Sequence, residues 1–189
     1  MSILVVVLRI VSVLAFAALM LLAGRRGGPR TRARQSGSDR VPLVANLATV
    51  GLYLPSLLLF AGSPAGSTAL LLASLGSLLT VAGVALVLRS RAALGPAWTL
   101  LPKADQDTGL VTTGPYRLVR HPIYLGLALL VMGQALAFSS WPALMIVLSG
   151  IVPTFAWRAR AEERLLSRTF GERYAVYRQR TMMIIPYLF

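Results

Sequence analysis

Five long apolar segments constrain the fold of this 189-residue chain more than any other feature. They lie at Ile3–Ala23, Leu43–Ala61, Ser67–Leu88, Pro122–Phe138 and Trp141–Trp157. An α-helix needs roughly 18 or more apolar residues to cross a bilayer, so the last two segments are short for full spans. Charged residues make up only 13% of the chain, about half the usual fraction for a soluble domain. The sequence therefore predicts an all-α integral membrane protein with five transmembrane helices, in one membrane domain over residues 1–189.

The basic residues are distributed asymmetrically around these segments. Of the 19 Lys and Arg residues, 18 fall in Gly24–Val41, in Arg89–His121 and in the tail after Trp157. Five spans would place all three basic segments on one side, so the positive-inside rule predicts an outside N terminus and a cytoplasmic C terminus. We interpret the net charge of +13 as membrane topology and contact with lipid headgroups, and we expect no nucleic-acid partner. The remaining basic residue, Arg9, is expected to snorkel to the interface.

A first polar cluster, LVTTGPYRLVRHPIYLG, covers Leu110–Gly126. Pro122 can open a helix at its first turn, which would place His121 at the cap and Tyr124 on the same helix face. A helix N terminus beside Arg and His can receive an anion. The alternative interpretation is a basic membrane anchor with an interfacial tyrosine.

A second polar cluster, WRARAEERLLSRTFGERYAVYRQR, covers Trp157–Arg180. Its apolar stripe predicts a cytoplasmic amphipathic helix that leaves the fifth span and ends at Gly171. This helix could simply lie on the membrane. However, the adjacent carboxylates of Glu162 and Glu163 would repel an anionic headgroup layer, and they are better suited to holding a cation or an amine.

Several classes of site are excluded by what the sequence lacks. There is no cysteine and only one histidine, so disulfides, thiolate nucleophiles and multi-histidine metal sites are ruled out. The chain has no GxSxG elbow, no GxGxxG fingerprint and no P-loop, so it predicts no serine triad and no Rossmann domain. Because the two polar clusters emerge on the same membrane face, they can form one pocket. Their residue types suit a small zwitterionic ligand with a carboxylate, an amine and a ribose.

Taken together, LVTTGPYRLVRHPIYLG and RARAEERLLSRTFGERYAVYRQR, followed by IP, resemble the isoprenylcysteine carboxyl methyltransferase family. That family is related to the membrane phospholipid N-methyltransferases. The resemblance covers Leu94–Pro186, which leaves residues 1–88 as a three-helix scaffold and residues 94–189 as the catalytic portion. It implies transfer of a methyl group from S-adenosylmethionine to a lipophilic acceptor, such as an isoprenoid carboxylate or a lipid amine.

The short chain and its richness in Arg and Ala favour a bacterial member in the cytoplasmic membrane, where prenylated-protein substrates are not expected. We expect lipid or small lipophilic substrates, and the sequence does not indicate an oligomeric state.

The resemblance also assigns roles to individual residues. Arg158 and Glu163 match the family's catalytic pair, and we predict that Arg158 orients an anionic acceptor while Glu163 fixes Arg158 or takes a proton. Tyr174 and Tyr177 are assigned to the substrate, Pro186 matches the proline that closes the motif, and no metal is expected. The predicted cofactor-binding residues are Leu110, Val111, Gly114, Tyr116, His121, Tyr124, Gly126 and Glu162.

Two alternatives stay open at this point. Membrane sterol reductases carry a similar RHPxYxG segment, but in them an acidic residue directly follows the glycine. Leu127 occupies that position here, which favours methyl transfer over NADPH-dependent reduction. A non-enzymatic membrane scaffold is the other alternative. Binding of S-adenosylmethionine, of NADPH or of neither would separate the three interpretations.

Overall fold

The computed structural model describes residues 3–24, 40–62, 66–95 and 109–184. Within these ranges the chain forms six α-helices, the fifth with a π-helical turn over Val147–Ile151, and a 3₁₀ turn over Gly114–Arg117. The helices are α1 (Ile3–Gly24), α2 (Arg40–Leu59), α3 (Gly66–Leu94), α4 (Pro122–Ala137), α5 (Trp141–Phe170) and α6 (Glu172–Arg180). The predicted all-α architecture is confirmed. Most of the basic segment Gly24–Val41, the stretch 96–108 and Pro186 lie outside the described residues.

The helices differ in how well they meet the requirements of a membrane span. Among the described residues, α3 and α5 are long and apolar enough to cross a bilayer, whereas Ile3–Leu19, Leu47–Leu59 and Pro122–Ala137 form shorter apolar helices. Large apolar side chains such as Ile3 and Leu59 are exposed on the outside of the bundle, as expected for surfaces that face lipid. The five-span count stays a prediction.

Two glycine contacts hold α3 and α4 close together. A Cβ atom at Gly83 would lie 2.5 Å from the carbonyl oxygen of Gly126, and one at Gly76 would lie 2.5 Å from that of Gly133. Small residues let helix backbones approach closely, which is how helices commonly associate in membranes. The contact fixes the position of α4, whose first residues carry the predicted site.

Arg9 on α1 binds at the opposite end of α4. Its guanidinium donates hydrogen bonds to the carbonyl oxygens of Ala137, at 2.9 Å, and Gly62, at 2.7 Å, and lies over the Phe138 ring. These carbonyls belong to helix-terminal and turn backbone, which a cation can satisfy. Arg9 therefore ties α1 to the two turns at this end of the bundle.

The local breaks that the sequence predicts around the site are confirmed. The helix α4 begins at Pro122 with His121 as its N-cap residue. The helix α5 ends at Phe170, and Gly171 follows with a φ of +51°, which glycine adopts without strain. The amphipathic segment is continuous with the fifth apolar segment rather than a separate helix. Gly171 then turns the chain into α6, so that α6 lies beside the start of α4.

Candidate functional site

The C-terminal segment holds the start of α4 in place. Val119 and Met182 form a parallel bridge. The backbone N–H of Arg120 donates to the carbonyl oxygen of Met182 at 2.8 Å, and that of His121 donates to Met183 at 3.0 Å. These bonds fix the backbone of both residues directly before the helix, so their side chains enter the site from a rigid position.

The two adjacent carboxylates on α5 face different partners. Successive residues on an α-helix project about 100° apart. Glu162 therefore points to α4, where it accepts a hydrogen bond from the Tyr124 hydroxyl, and Glu163 points to Arg120. His121 lies between them, with Nδ1 at 3.4 Å from a Glu162 oxygen and Nε2 at 3.6 Å from a Glu163 oxygen.

Arg120 organises the buried side of the site, and the sequence analysis did not assign it a role. Its Nε donates to Glu163 at 2.6 Å, and its Nη1 donates to the carbonyl oxygens of Arg178 and Thr181. Its side chain is only 7% exposed, against 11% for Glu163. A signal was present, because Arg120 directly precedes His121 and a buried carboxylate requires a cation.

The prediction that Glu163 fixes Arg158 is wrong for this structure. Glu163 pairs with Arg120, while the Arg158 guanidinium lies 5.6 Å from the centre of the Tyr124 ring. No carboxylate of the described residues lies within 4 Å of Arg158. The physical reason is that a buried carboxylate pairs with the cation that it can reach on a rigid neighbour. Arg158 thus keeps its charge available for an anionic group.

Aromatic rings form one wall of this cluster. The Tyr124 ring stacks on Phe155 with centroids 5.5 Å apart and on His121 with centroids 5.9 Å apart. The Arg158 guanidinium covers the same tyrosine, which is a cation–π arrangement. Tyr124 therefore contacts His121, Glu162 and Arg158, and its stacking on His121 agrees with the predicted common face of these two residues.

Burial and the two carboxylates act in opposite directions on His121. Burial opposes the charged imidazolium, but the hydrogen-bonding and charge interactions of Glu162 and Glu163 outweigh it and raise the His121 pKa above 6.5. The Nε2 atom is buried, and its nearest carboxylate oxygen among the described residues, on Glu163, lies 3.6 Å away, which is too long for a hydrogen bond. A polar group entering the site would find a donor there.

Three tyrosines from two elements, the 3₁₀ turn and α6, close the end of the site where α4 begins. The Tyr177 hydroxyl donates to the carbonyl oxygen of Tyr116 at 2.7 Å, and the rings of Tyr174 and Tyr177 meet edge to face. Burial raises the pKa of Tyr177 to about 12 and raises the pKa values of Tyr116 and Tyr174 above their ordinary range. All three are therefore neutral phenols near neutral pH. The Tyr174 hydroxyl is buried without a partner among the residues described.

Three other predicted cofactor residues, Leu110, Val111 and Gly114, lie on the segment that precedes α4. Leu110 lines a cavity of about 520 Å³ that Tyr177 also lines, and Val111 follows it on the same approach segment. Gly114 has a φ of +61° and opens the 3₁₀ turn that contains Tyr116. Leu110 thus lies near Tyr177, and Gly114 shapes the turn that carries Tyr116, while the cofactor-binding roles of Leu110, Val111 and Gly114 stay predictions.

The prediction that Gly126 lines the cofactor pocket is not supported by its position. Tyr124 faces α5, and two residues further along a helix turns the chain by about 200°. Gly126 consequently faces α3, where a Cβ atom would lie 2.7 Å from a Val87 methyl carbon and 2.8 Å from the Gly83 carbonyl oxygen. Its lack of a side chain is explained by helix packing.

The described residues contain no group of three or more His, Cys, Asp or Glu side chains that could hold a metal ion. The polar atoms that the site leaves available are the Arg158 guanidinium, the partly exposed Glu162 carboxylate, the His121 Nε2 atom and the Tyr174 hydroxyl. Such a set can bind one ligand that carries both a cationic and an anionic group.

Comparison with known proteins places this site in a family context. The model of the phospholipid methyltransferase family matches residues 57–173. This range includes the start of α4 and the two adjacent glutamates of α5. A solved structure of the eukaryotic intramembrane Ras methyltransferase ICMT (isoprenylcysteine carboxyl methyltransferase) has a similar fold, with a TM-score of 0.57 and 20% identity. That match covers 93% of this chain and 61% of the other.

Curated relatives match about half of this chain. Protein-S-isoprenylcysteine O-methyltransferase of Schizosaccharomyces pombe is 31% identical over 84 residues, 44% of this chain and 36% of that protein. Cobalt-zinc-cadmium resistance protein CzcN of Cupriavidus metallidurans is 32% identical over 100 residues, 52% of this chain and 46% of that protein. The chain thus spans less than half the length of each of these two curated relatives.

Proposed function

The chain belongs to the phospholipid methyltransferase family, and on that premise we propose that it is an integral membrane methyltransferase. It transfers a methyl group from S-adenosylmethionine to a lipophilic acceptor. The comparisons favour methyl transfer over the sterol-type reductase. A place in a bacterial cytoplasmic membrane, with the N terminus outside and the C terminus in the cytoplasm, is part of the proposal.

The observation that carries the proposal is the division of charge around Tyr124. At the hydroxyl of Tyr124, Glu162 presents a partly exposed carboxylate, and over the ring lies Arg158, which has no carboxylate partner among the described residues. A methyl donor with a cationic centre suits the carboxylate and the aromatic face, whereas an anionic acceptor suits the arginine. The buried Nε2 of His121 and the hydroxyl of Tyr174, neither of which has a hydrogen-bond partner among the described residues, fit a ligand rich in polar groups.

S-adenosylmethionine, when bound, supplies a methyl group on a positively charged sulfur that an anionic acceptor can attack directly. The residues of this chain then have to position the donor and the acceptor, and they do not have to activate the acceptor. Arg158 would hold the acceptor anion and Glu162 and His121 would hold polar groups of the donor. The Tyr124 ring would line the point where the two ligands meet. Correct positioning of two reactants can lower the barrier by several kcal/mol.

Glu163 has a supporting role in this scheme. Arg120, and His121 at a longer distance, face its carboxylate, so it orders the start of α4 rather than Arg158. We propose that Glu163 and Arg120 together fix the ring of His121.

The acceptor we propose to test first is an S-prenylated cysteine with a free carboxylate. Its carboxylate matches the unpaired Arg158, and the names of relatives specify isoprenylcysteine O-methylation. A lipid amine is the second acceptor to test, because it would not need Arg158.

Titration calorimetry of detergent-purified protein tests the cofactor assignment. We expect micromolar binding of S-adenosylhomocysteine, no binding of NADPH, and at least tenfold weaker binding of S-adenosylhomocysteine to Glu162→Gln and His121→Ala. Glu172→Gln is the matched control, because it removes an exposed carboxylate that lies outside the site. Binding of NADPH alone would replace the proposal with a reductase, and binding of neither ligand by a folded sample would refute both enzymes.

A further inference from the structure

The cavity of about 520 Å³ that Leu110 and Tyr177 line lies beside α6. Three arginines from two elements converge on it: Arg117 from the 3₁₀ turn, and Arg173 and Arg180 from α6. Seven residues separate the last two, so they project from the same helix face about 10 Å apart along the axis. Among the residues that the structure describes, no acidic side chain lines the cavity. The cavity therefore presents a concentrated positive charge.

These three arginines differ from Arg120 and Arg178 in having no hydrogen-bond or ion-pair partner among the described residues. Arg120 is bonded to Glu163 and to backbone carbonyls, and Arg178 approaches Glu163 at 4.0 Å. Arg117, Arg173 and Arg180 form no hydrogen bond or ion pair with any residue that the structure describes. Guanidinium groups without partners around a concave surface are suited to phosphate, which they bind through paired N–H donors.

The position of the cavity indicates a membrane lipid as the source of a phosphate group that could bind there. It lies at the end of the bundle where α4 begins and where α5 gives way to α6 at Gly171, which is the end with most of the basic residues. Exposed apolar side chains accompany the arginines, with Leu118 71% exposed and Val176 40% exposed. Apolar groups beside cations are typical of a helix that rests in the interface of an anionic membrane.

We propose that this cavity binds the phosphate of an anionic phospholipid headgroup and thereby seats α6 on the cytoplasmic leaflet. The inference concerns a lipid site beside the site of methyl transfer, and its test measures binding and not turnover. Binding of the lipid in this cavity would stabilise the position of α6, which carries Tyr174 and Tyr177.

The experiment compares two triple variants with the same loss of charge. Arg117→Gln, Arg173→Gln and Arg180→Gln together remove the cavity arginines. Arg160→Gln, Arg164→Gln and Arg168→Gln together remove three exposed arginines of α5 that do not line the cavity. Each purified protein is titrated in neutral detergent with short-chain phosphatidylglycerol, with short-chain phosphatidylcholine and with inorganic phosphate, and adducts are counted by native mass spectrometry.

We expect the wild-type protein to retain phosphatidylglycerol in preference to phosphatidylcholine. An arginine near an anionic surface contributes about a fivefold factor, so the cavity variant should bind on the order of a hundredfold more weakly while the α5 variant stays within about threefold of wild type. Equal weakening in both variants would overturn the proposal, because it would reflect net charge alone. Inorganic phosphate binding as tightly as the lipid would overturn the assignment to a headgroup.

Circular dichroism and gel filtration check that both triple variants are folded. If the cavity variant does not fold, the single changes Arg173→Gln and Arg168→Gln replace the triple sets. The expected result is then about fivefold weaker lipid binding for the first change only, and equal affinities would refute the site.

Discussion

The pairing of Arg120 with Glu163 makes a prediction that separates the structure from the expectation based on sequence. Changing Arg120 to Met keeps most of the side-chain volume but removes the donor at 2.6 Å from Glu163. It also removes the hydrogen bonds to the carbonyl oxygens of Arg178 and Thr181. A carboxylate that is only 11% exposed then loses its nearest cation.

The expected loss of unfolding free energy in Arg120→Met depends on the burial of Glu163 and on the charges that remain near it. Removal of one partner of a buried ion pair costs about 3–5 kcal/mol. His121 and Arg178 still lie within 4.0 Å of Glu163, although Arg178 is largely exposed, so we expect a loss near the lower end, about 3 kcal/mol. Glu163→Gln should cost about 2 kcal/mol, and the double variant should show a coupling of about 2 kcal/mol.

The assay is a double-mutant cycle on unfolding in mixed micelles, followed by circular dichroism. A second cycle with Arg158→Met and Glu163→Gln is the matched control, and its coupling should stay below about 0.5 kcal/mol because Arg158 lies over Tyr124. Stronger coupling of Glu163 to Arg158 than to Arg120 would refute the reasoning and restore the pairing expected from sequence.

Two further predictions concern packing and pH. Gly83→Ala should destabilise the fold by about 1–3 kcal/mol because its Cβ would meet the backbone of Gly126 and Leu130. Gly51→Ala has open space around it and should be neutral or slightly stabilising. Chemical unfolding measures both variants, and equal effects would contradict the close α3–α4 contact. The folded-state pKa of His121 is raised, so its contribution to stability is complete below pH 6.5 and is lost as the pH rises through the folded value. His121→Gln should therefore flatten the fall of the melting temperature above pH 6.5, and a profile as steep as that of the wild type would contradict the raised pKa.

Local structure around the site could be predicted from the sequence because it depends on single residues. Pro122 fixes where α4 begins, and Gly171 fixes where α5 ends. Adjacent carboxylates at 162 and 163 must diverge on a helix, and His121 and Tyr124 must share a face. The family motif followed from the same residues, and the match to residues 57–173 confirms it.

Contacts between elements could not be predicted in the same way. The sequence presents Arg120, Arg158 and Arg178 as three equivalent cations near Glu163. Only the fold shows that Arg120 is held against it by the C-terminal segment, while Arg158 covers Tyr124. Gly126 lies within the motif, so its assignment to the pocket was reasonable, yet helix packing against Gly83 explains it.

The sequence by itself determined that this chain is helical and apolar with basic segments between its apolar ones, that its polar functional groups concentrate after residue 100, and which family it resembles. Those properties are local, since they depend on periodicity, on composition and on the conformations open to proline and glycine. The tertiary structure alone decided which arginine neutralises Glu163, which stays free, and how α6 assembles a cavity of unpaired cations. Helix periodicity defines faces but not neighbours, and charges pair according to which neighbours the packing brings within reach.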